Sequence, residues 1–234
     1  MSAGAGEQLP LLLGNYEYRL SSLVRTTHVE AIDAVEKLVE NQDRGLIYLW
    51  GGSSAGKTHL LQAACAHTAA SNRRPAYLPL SRAKDELDVE ICDGLENVDL
   101  LAIDDVHEIS GEHDWEASLF ALFNLMWDAG RPIVVSADRA PARLEFKLPD
   151  LRSRFAWGIT FNLREMDDAQ KLEVMQAHAR DRGFDLPTET GQFLIERTPR
   201  DLRELCSYVA RLDHASLARQ RKLTIPFVKE ILKL

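Results

Sequence analysis

The segment Gly51-Gly52-Ser53-Ser54-Ala55-Gly56-Lys57-Thr58 fills every fixed position of the pattern G-x-x-x-x-G-K-[ST]. It follows a short apolar run, Leu46-Ile47-Tyr48-Leu49-Trp50, and opens a stretch with helical spacing, in which Leu60, Leu61, Ala64 and Cys65 share one side. A strand, a glycine loop and a helix in this order form a phosphate cradle. Successive backbone N–H groups wrap the anion, glycines let the chain approach without a Cβ, and the helix adds its positive end. Lys57 is expected to reach β- and γ-phosphates and Thr58 to offer its hydroxyl to Mg²⁺. A chance turn would not require a buried strand before the loop and a helix after it.

The rest of the chain alternates in the same manner. An amphipathic helix is predicted from Thr26 to Gln42, with Val29, Ile32, Val35, Leu38 and Val39 as its apolar positions. Strands are predicted at 46–50, 76–80, 100–103, 132–136 and 158–161. Helices are predicted at 57–71 and 115–129, with a weaker helical stretch through Leu87, Ile91 and Leu95. Strands alternating with helices argue for a parallel sheet with helices on both faces. Beyond Asn162 the strands stop, and helices are expected at 167–182, 187–197, 199–216 and 226–234. Asp167 is read as an N-cap and Pro187 as a first helical residue. The expected organisation is a tail (1–25), an α/β domain (26–163) and a small C-terminal helical lid (164–234).

Composition narrows the function classes. With 36 acidic against 28 basic side chains the net charge is −8, which disfavours strong direct DNA binding, since such affinity comes mostly from neutralising phosphates. Three scattered cysteines match neither a disulfide framework nor a metal-ligand spacing. No secretory leader pattern and no long apolar span is evident, so a cytoplasmic protein without a membrane partner is expected.

A second carboxylate-bearing segment, Leu100-Leu101-Ala102-Ile103-Asp104-Asp105, ends a predicted buried strand, where α/β sheets bind their ligands. Asp104 is the candidate for holding Mg²⁺ through water and Asp105 for orienting an attacking water. Standing alone, such a run often marks only a strand before a turn.

At these residues the sequence resembles the AAA+ module of DnaA-type bacterial replication initiators. The resemblance runs through the phosphate loop with His59-Leu60 and through Ile103-Asp104-Asp105-Val106-His107. It continues in Ile133-Val134-Val135-Ser136-Ala137-Asp138-Arg139, similar to a sensor 1 segment, and in Leu151-Arg152-Ser153-Arg154-Phe155-Ala156-Trp157-Gly158, similar to an arginine-finger box. It ends in Arg200-Asp201-Leu202-Arg203-Glu204-Leu205, similar to a sensor 2 helix. It implies an AAA+ fold with a five-stranded parallel sheet, an ADP or ATP ligand with Mg²⁺, and nucleotide contacts from residues 51–59, Asp138 and Arg203. Arg154 would act on the nucleotide of a neighbouring subunit. Bland readings compete at each position: a turn cap for Asp138, a solvated face for Arg203 among Arg197, Arg200 and Arg211, and a surface ion pair for Arg154. Asp105 stands where many relatives carry glutamate, which implies slow hydrolysis and at most a weak ATPase of its own.

Two departures from the initiators matter. No DNA-reading helix-turn-helix domain is expected after Leu234, and the initiators' long N-terminal domain is not matched. The N-terminus instead carries Gln8-Leu9-Pro10-Leu11-Leu12-Leu13. This segment is similar to the short peptides that dock on the bacterial sliding clamp (the polymerase beta subunit), although an apolar tail packed on the domain would read alike. Together these features resemble regulatory members of the DnaA-related family, which link the clamp to the DnaA initiator and promote hydrolysis of its ATP, preventing re-initiation. Self-association stays open. The competing function is an autonomous AAA+ ATPase such as a helicase loader, which would use Lys57, Asp104 and Asp105 for its own turnover.

Overall fold

The computed structural model describes residues 28–82, 88–199, 201–219 and 222–233. The proposed clamp segment Gln8–Leu13 lies outside the described residues. Two compact units emerge. One comprises His28–Gly52 with Lys57–Arg164, and the other Ser53–Gly56 with Glu165–Leu234.

In the first unit the elements run α1 (Val29–Asn41), β1 (Gly45–Trp50), α2 (Lys57–Ala70), β2 (Pro75–Pro79), β3 (Leu100–Asp104), α3 (His113–Asp128), β4 (Pro132–Ala137), α4 (Pro149–Phe155) and β5 (Ile159–Asn162). The five strands form one parallel sheet in the order β2-β3-β4-β1-β5. Parallel neighbours need crossovers, and the helices between them supply these. The strands β3 and β4 are buried along their whole length, and Leu46 to Leu49 of β1 are buried as well, as continuous apolar runs in a two-sided sheet require. Because β1 lies between β4 and β5, the chain leaving Trp50 emerges beside the ends of those two strands, with the end of β3 one strand further along the sheet. The main core joins Tyr48, Leu78, Leu101, Ile103, Leu119, Phe123, Ile133, Val135 and Phe155.

Several expectations are refined. In α1, Ile32, Val35 and Val39 are buried but Val29 is exposed, because the helix starts there with only part of its first turn against the sheet. Of the helical stretch expected through Leu87, Ile91 and Leu95, Leu87 lies outside the described residues and the remainder is two 3₁₀ turns, Val89–Cys92 and Leu95–Asn97. Gly94, at φ +88°, breaks the run between them. Strand β5 forms as expected but is an edge with mostly exposed side chains. The seven-residue α4 was not anticipated from periodicity.

The second unit holds α5 (Asp168–Asp181), α6 (Thr188–Arg197), α7 (Leu202–Arg219) and α8 (Ile225–Leu232). Met175, Leu194, Leu205, Val209, Leu212 and Phe227 fill its core. Asp167 is the expected N-cap of α5: its carboxylate accepts from the Gln170 amide (2.8 Å), and Gln170 Oε1 accepts from the Asp167 amide (2.9 Å), a reciprocal capping box. Pro187 differs from expectation. With ψ 139° it is the extended N-cap residue, and the helix begins at Thr188. Likewise α7 starts at Leu202 rather than Pro199, with the Asp201 carboxylate accepting from the Glu204 amide. Among the described residues no helix is long and apolar enough to cross a membrane.

Candidate nucleotide site

The loop leaving β1 opens with Gly51 at φ 151° and closes with Gly56 at φ 88°. A side chain at Gly56 would be strained in that left-handed backbone, so glycine is what the turn into α2 requires. The Gly51 amide donates to the Ala137 carbonyl (3.3 Å), tying the loop to the end of β4. Lys57, the first residue of α2, is 4% exposed, and its ammonium donates to the carbonyls of Gly51 (2.8 Å) and Gly52 (2.7 Å). The loop is thus closed by its own lysine. Thr58 and His59 follow on the first turn of α2, and Ala55 is buried.

At the end of β3 the Asp104 carboxylate is buried, and both oxygens are held by hydroxyls. Tyr77 donates to Oδ2 at 2.6 Å, and Ser136 donates to Oδ1. The Ser136 hydroxyl also accepts from the Asp105 amide at 3.0 Å. One buried hydroxyl on β4 therefore fixes both carboxylate-bearing residues of β3's end. Asp105 adopts φ 58°, ψ 47°, a left-handed conformation uncommon for a residue with a Cβ and one that concentrates at functional sites. Neither Ser136 nor Tyr77 was singled out as a site residue. The signal available for Ser136 was its hydroxyl within an otherwise apolar buried strand, and Tyr77 gave none beyond its place on β2.

Asp138, just past β4, has its carboxylate forked by Arg139 through Nε and Nη2, both at 2.7 Å. The hydrogen bonds from Arg139 hold this carboxyl below the usual carboxylate range, helped by the guanidinium's charge. His107 Nδ1 accepts from the Asp138 amide (3.3 Å), so the DDVH segment and the sensor-like segment meet here. An ionised carboxylate cannot itself donate to a phosphate. Asp138 would act through Arg139 or a bridging water.

Arg154 lies on α4, its guanidinium carbon 4.0 Å from the Trp157 ring centre and 5.7 Å from that of Phe120. Arg203 is the second residue of α7.

Sequence and structure comparisons identify the family to which this fold belongs. A family model described as the bacterial DnaA ATPase domain matches residues 17–162, and one described as the Hda lid domain matches residues 168–232. Domain III of the Thermotoga maritima replication initiation protein DnaA is 25% identical; the match covers 94% of this chain and 97% of that one, with a TM-score of 0.74. AMPPCP-bound DnaA from Aquifex aeolicus is also 25% identical, over 88% of this chain and 70% of that one, with a TM-score of 0.64. A DnaA initiator bound to AMPPCP and single-stranded DNA gives 25% identity, 88% and 69% coverage and a TM-score of 0.66. With more than half of its length matched by one family model, the chain belongs to the bacterial DnaA ATPase-domain family of AAA+ proteins and carries a lid of the Hda type.

Proposed function

We propose that this protein is a nucleotide-bound regulator of replication initiation that links the sliding clamp to the DnaA initiator and stimulates hydrolysis of DnaA-bound ATP. The observation that carries the reading is the joining, in one chain, of a DnaA-type ATPase match with an Hda-type lid match. Residues 1–25 would be the tail that bears the clamp peptide Gln8–Leu13, 26–163 the nucleotide-binding domain and 164–234 the lid.

The cradle of Gly51–Thr58 would hold ADP or ATP, a reading supported by similarity to DnaA structures bound to the analogue AMPPCP. Thr58 and Asp104 are hard oxygen donors of the type magnesium takes, and each Asp104 oxygen that accepts one hydroxyl keeps a lone pair for a metal-bound water. When bound, the ion would neutralise phosphate charge. No group of three or more His, Cys, Asp or Glu side chains suited to a metal stands together among the described residues.

Arg154 would supply a guanidinium in trans to the initiator's nucleotide, an effect worth ~10³–10⁵ in rate for phosphoryl transfer. Its guanidinium forms no hydrogen bond or ion pair among the described residues, which leaves all its donors for a phosphate. Tethering to the clamp would raise the effective concentration of Arg154 at the initiator without new contacts.

The test follows hydrolysis of ATP preloaded on DnaA, with clamp assembled on DNA, when parent, Gln8→Ala or Arg154→Ala protein is added. Acceleration that needs clamp and is lost in both variants is the expected result. No acceleration, together with steady ATP turnover by the protein alone, would sink the regulator reading in favour of a loader-type ATPase.

A further inference from the structure

We infer that Trp157 is the positioning residue for Arg154, holding the guanidinium against the face of its indole so that the in-plane N–H donors stay available for phosphate oxygens. The inference rests on the reading of Arg154 given above.

The geometry is specific. At 4.0 Å from the ring centre, the guanidinium carbon lies on the indole face rather than at its edge. Stacking of this kind engages the π cloud and leaves the fork of N–H groups unused, which a salt bridge would not do. The indole is itself anchored. Trp127 meets it edge-on at 5.5 Å, and Phe123 does so at 6.3 Å. Trp127 in turn stacks on Phe123 at 5.8 Å and 12°, with Arg44 over its ring at 5.8 Å. The backbone is fixed as well. A Cβ at Gly158 would stand 2.4 Å from the Leu46 carbonyl oxygen, so the turn after Trp157 is seated directly on β1. Yet Trp157 is 50% exposed, a large aromatic surface that core packing alone does not require of this turn. A long arginine that must reach across an interface ordinarily loses rotamer freedom on arrival. One already ordered on a fixed ring loses less and arrives aligned.

The experiment uses the full chain in the DnaA–clamp–DNA hydrolysis assay, reading both the rate at saturating protein and the half-saturating concentration. Trp157→Leu is expected to lower the saturating rate about threefold to tenfold at an unchanged half-saturating concentration, the scale of a lost stack and of lost alignment. Trp157→Phe keeps a ring face and is expected to retain most of the rate, and Arg154→Ala abolishes it. In the parent, the Arg154 Nε–H resonance is expected upfield from the ring current and returns to the ordinary arginine position in Trp157→Leu. Full activity of Trp157→Leu beside an inactive Arg154→Ala overturns the role of Trp157 alone. A change confined to half-saturation makes Trp157 a partner contact and overturns it too. Full activity of Arg154→Ala overturns the finger itself. Should Trp157→Leu not fold, an unshifted Arg154 resonance in the parent refutes the stack without any variant at 157.

Discussion

Ser136→Ala tests whether one hydroxyl organises the end of β3. The side chain is fully buried, donates to Asp104 Oδ1 and accepts from the Asp105 amide at 3.0 Å. Its removal strips a donor from a buried carboxylate and orphans a backbone N–H. A hydrogen bond to a charged group contributes about 1.5–3 kcal/mol, and an unsatisfied buried donor costs about 1–3 kcal/mol. Because the two losses share one atom and are not additive, about 3 kcal/mol is the expected total. Tyr77→Phe is the internal control, since it removes only the 2.6 Å bond to Asp104 Oδ2 at a part-buried position that water can reach; about 1–1.5 kcal/mol is expected there. All four tryptophans (Trp50, Trp115, Trp127 and Trp157) belong to the α/β unit. Urea unfolding followed by tryptophan emission therefore reports that unit without interference from the helical one. With a slope of about 2 kcal/mol per molar, the Ser136→Ala midpoint should fall by about 1.5 M and that of Tyr77→Phe by half of this or less. A Ser136→Ala midpoint no lower than that of Tyr77→Phe would refute the claim that Ser136 is the shared anchor.

Gly158→Ala should destabilise the same unit by about 3 kcal/mol or more, because the new Cβ meets the backbone oxygen of Leu46 rather than a movable side chain; a midpoint near the parent's would show that the turn gives way. Glu116→Ala removes a buried carboxylate that accepts from the amides of Gly111, Lys147 and Leu148. A loss of about 3–5 kcal/mol is expected in the same urea experiment, and a loss under 1 kcal/mol would mean water replaces it. Asp167→Ala breaks the capping box of α5 and should cost about 1 kcal/mol, visible as faster hydrogen exchange at the amides of the first turn and not in the tryptophan signal. Burial lowers the pKa of His28 below 6.5 despite its bond to the Arg164 carbonyl. Just below pH 6.5 the unfolded chain therefore binds more protons, and stability should fall as pH falls through that window. Replacement by Gln should flatten this part of the pH–stability curve, and an unchanged slope would exclude His28 as its source.

What the sequence disclosed depended on how local each signal was. The glycine loop between β1 and α2, the strand ending at Asp104 and the Asp167 cap are contiguous patterns governed by backbone chemistry, and these elements form at the residues expected. Features that depend on register between distant strands were less legible. Ser136 reaches Asp104 only because β3 and β4 are neighbours, with Ile103 opposite Val135. Glu116 lies on the buried stripe of α3, seven residues before Phe123, and looks there like a solvated helix charge until the three backbone amides it serves come into view. The exposed character of β5 was hinted at only by Thr160 and Asn162 within a four-residue strand. Boundary errors at Pro187 and Pro199 have one cause: proline fixes φ but leaves ψ free, so it marks the neighbourhood of a helix start rather than its first residue.

The two bonds from Lys57 to the carbonyls of Gly51 and Gly52 bear on how a familiar genetic tool should be read in this protein. Replacing the loop lysine is commonly treated as deleting nucleotide affinity and nothing else. Here the ammonium also cross-links the loop to the first turn of α2, so Lys57→Ala deletes a structural tie along with a charge and leaves two carbonyls to find other donors. A phenotype from that allele would mix two lesions. Thr58→Ala, which spares the tie, is the cleaner separation-of-function allele, and the difference between the two phenotypes would measure what the tie contributes.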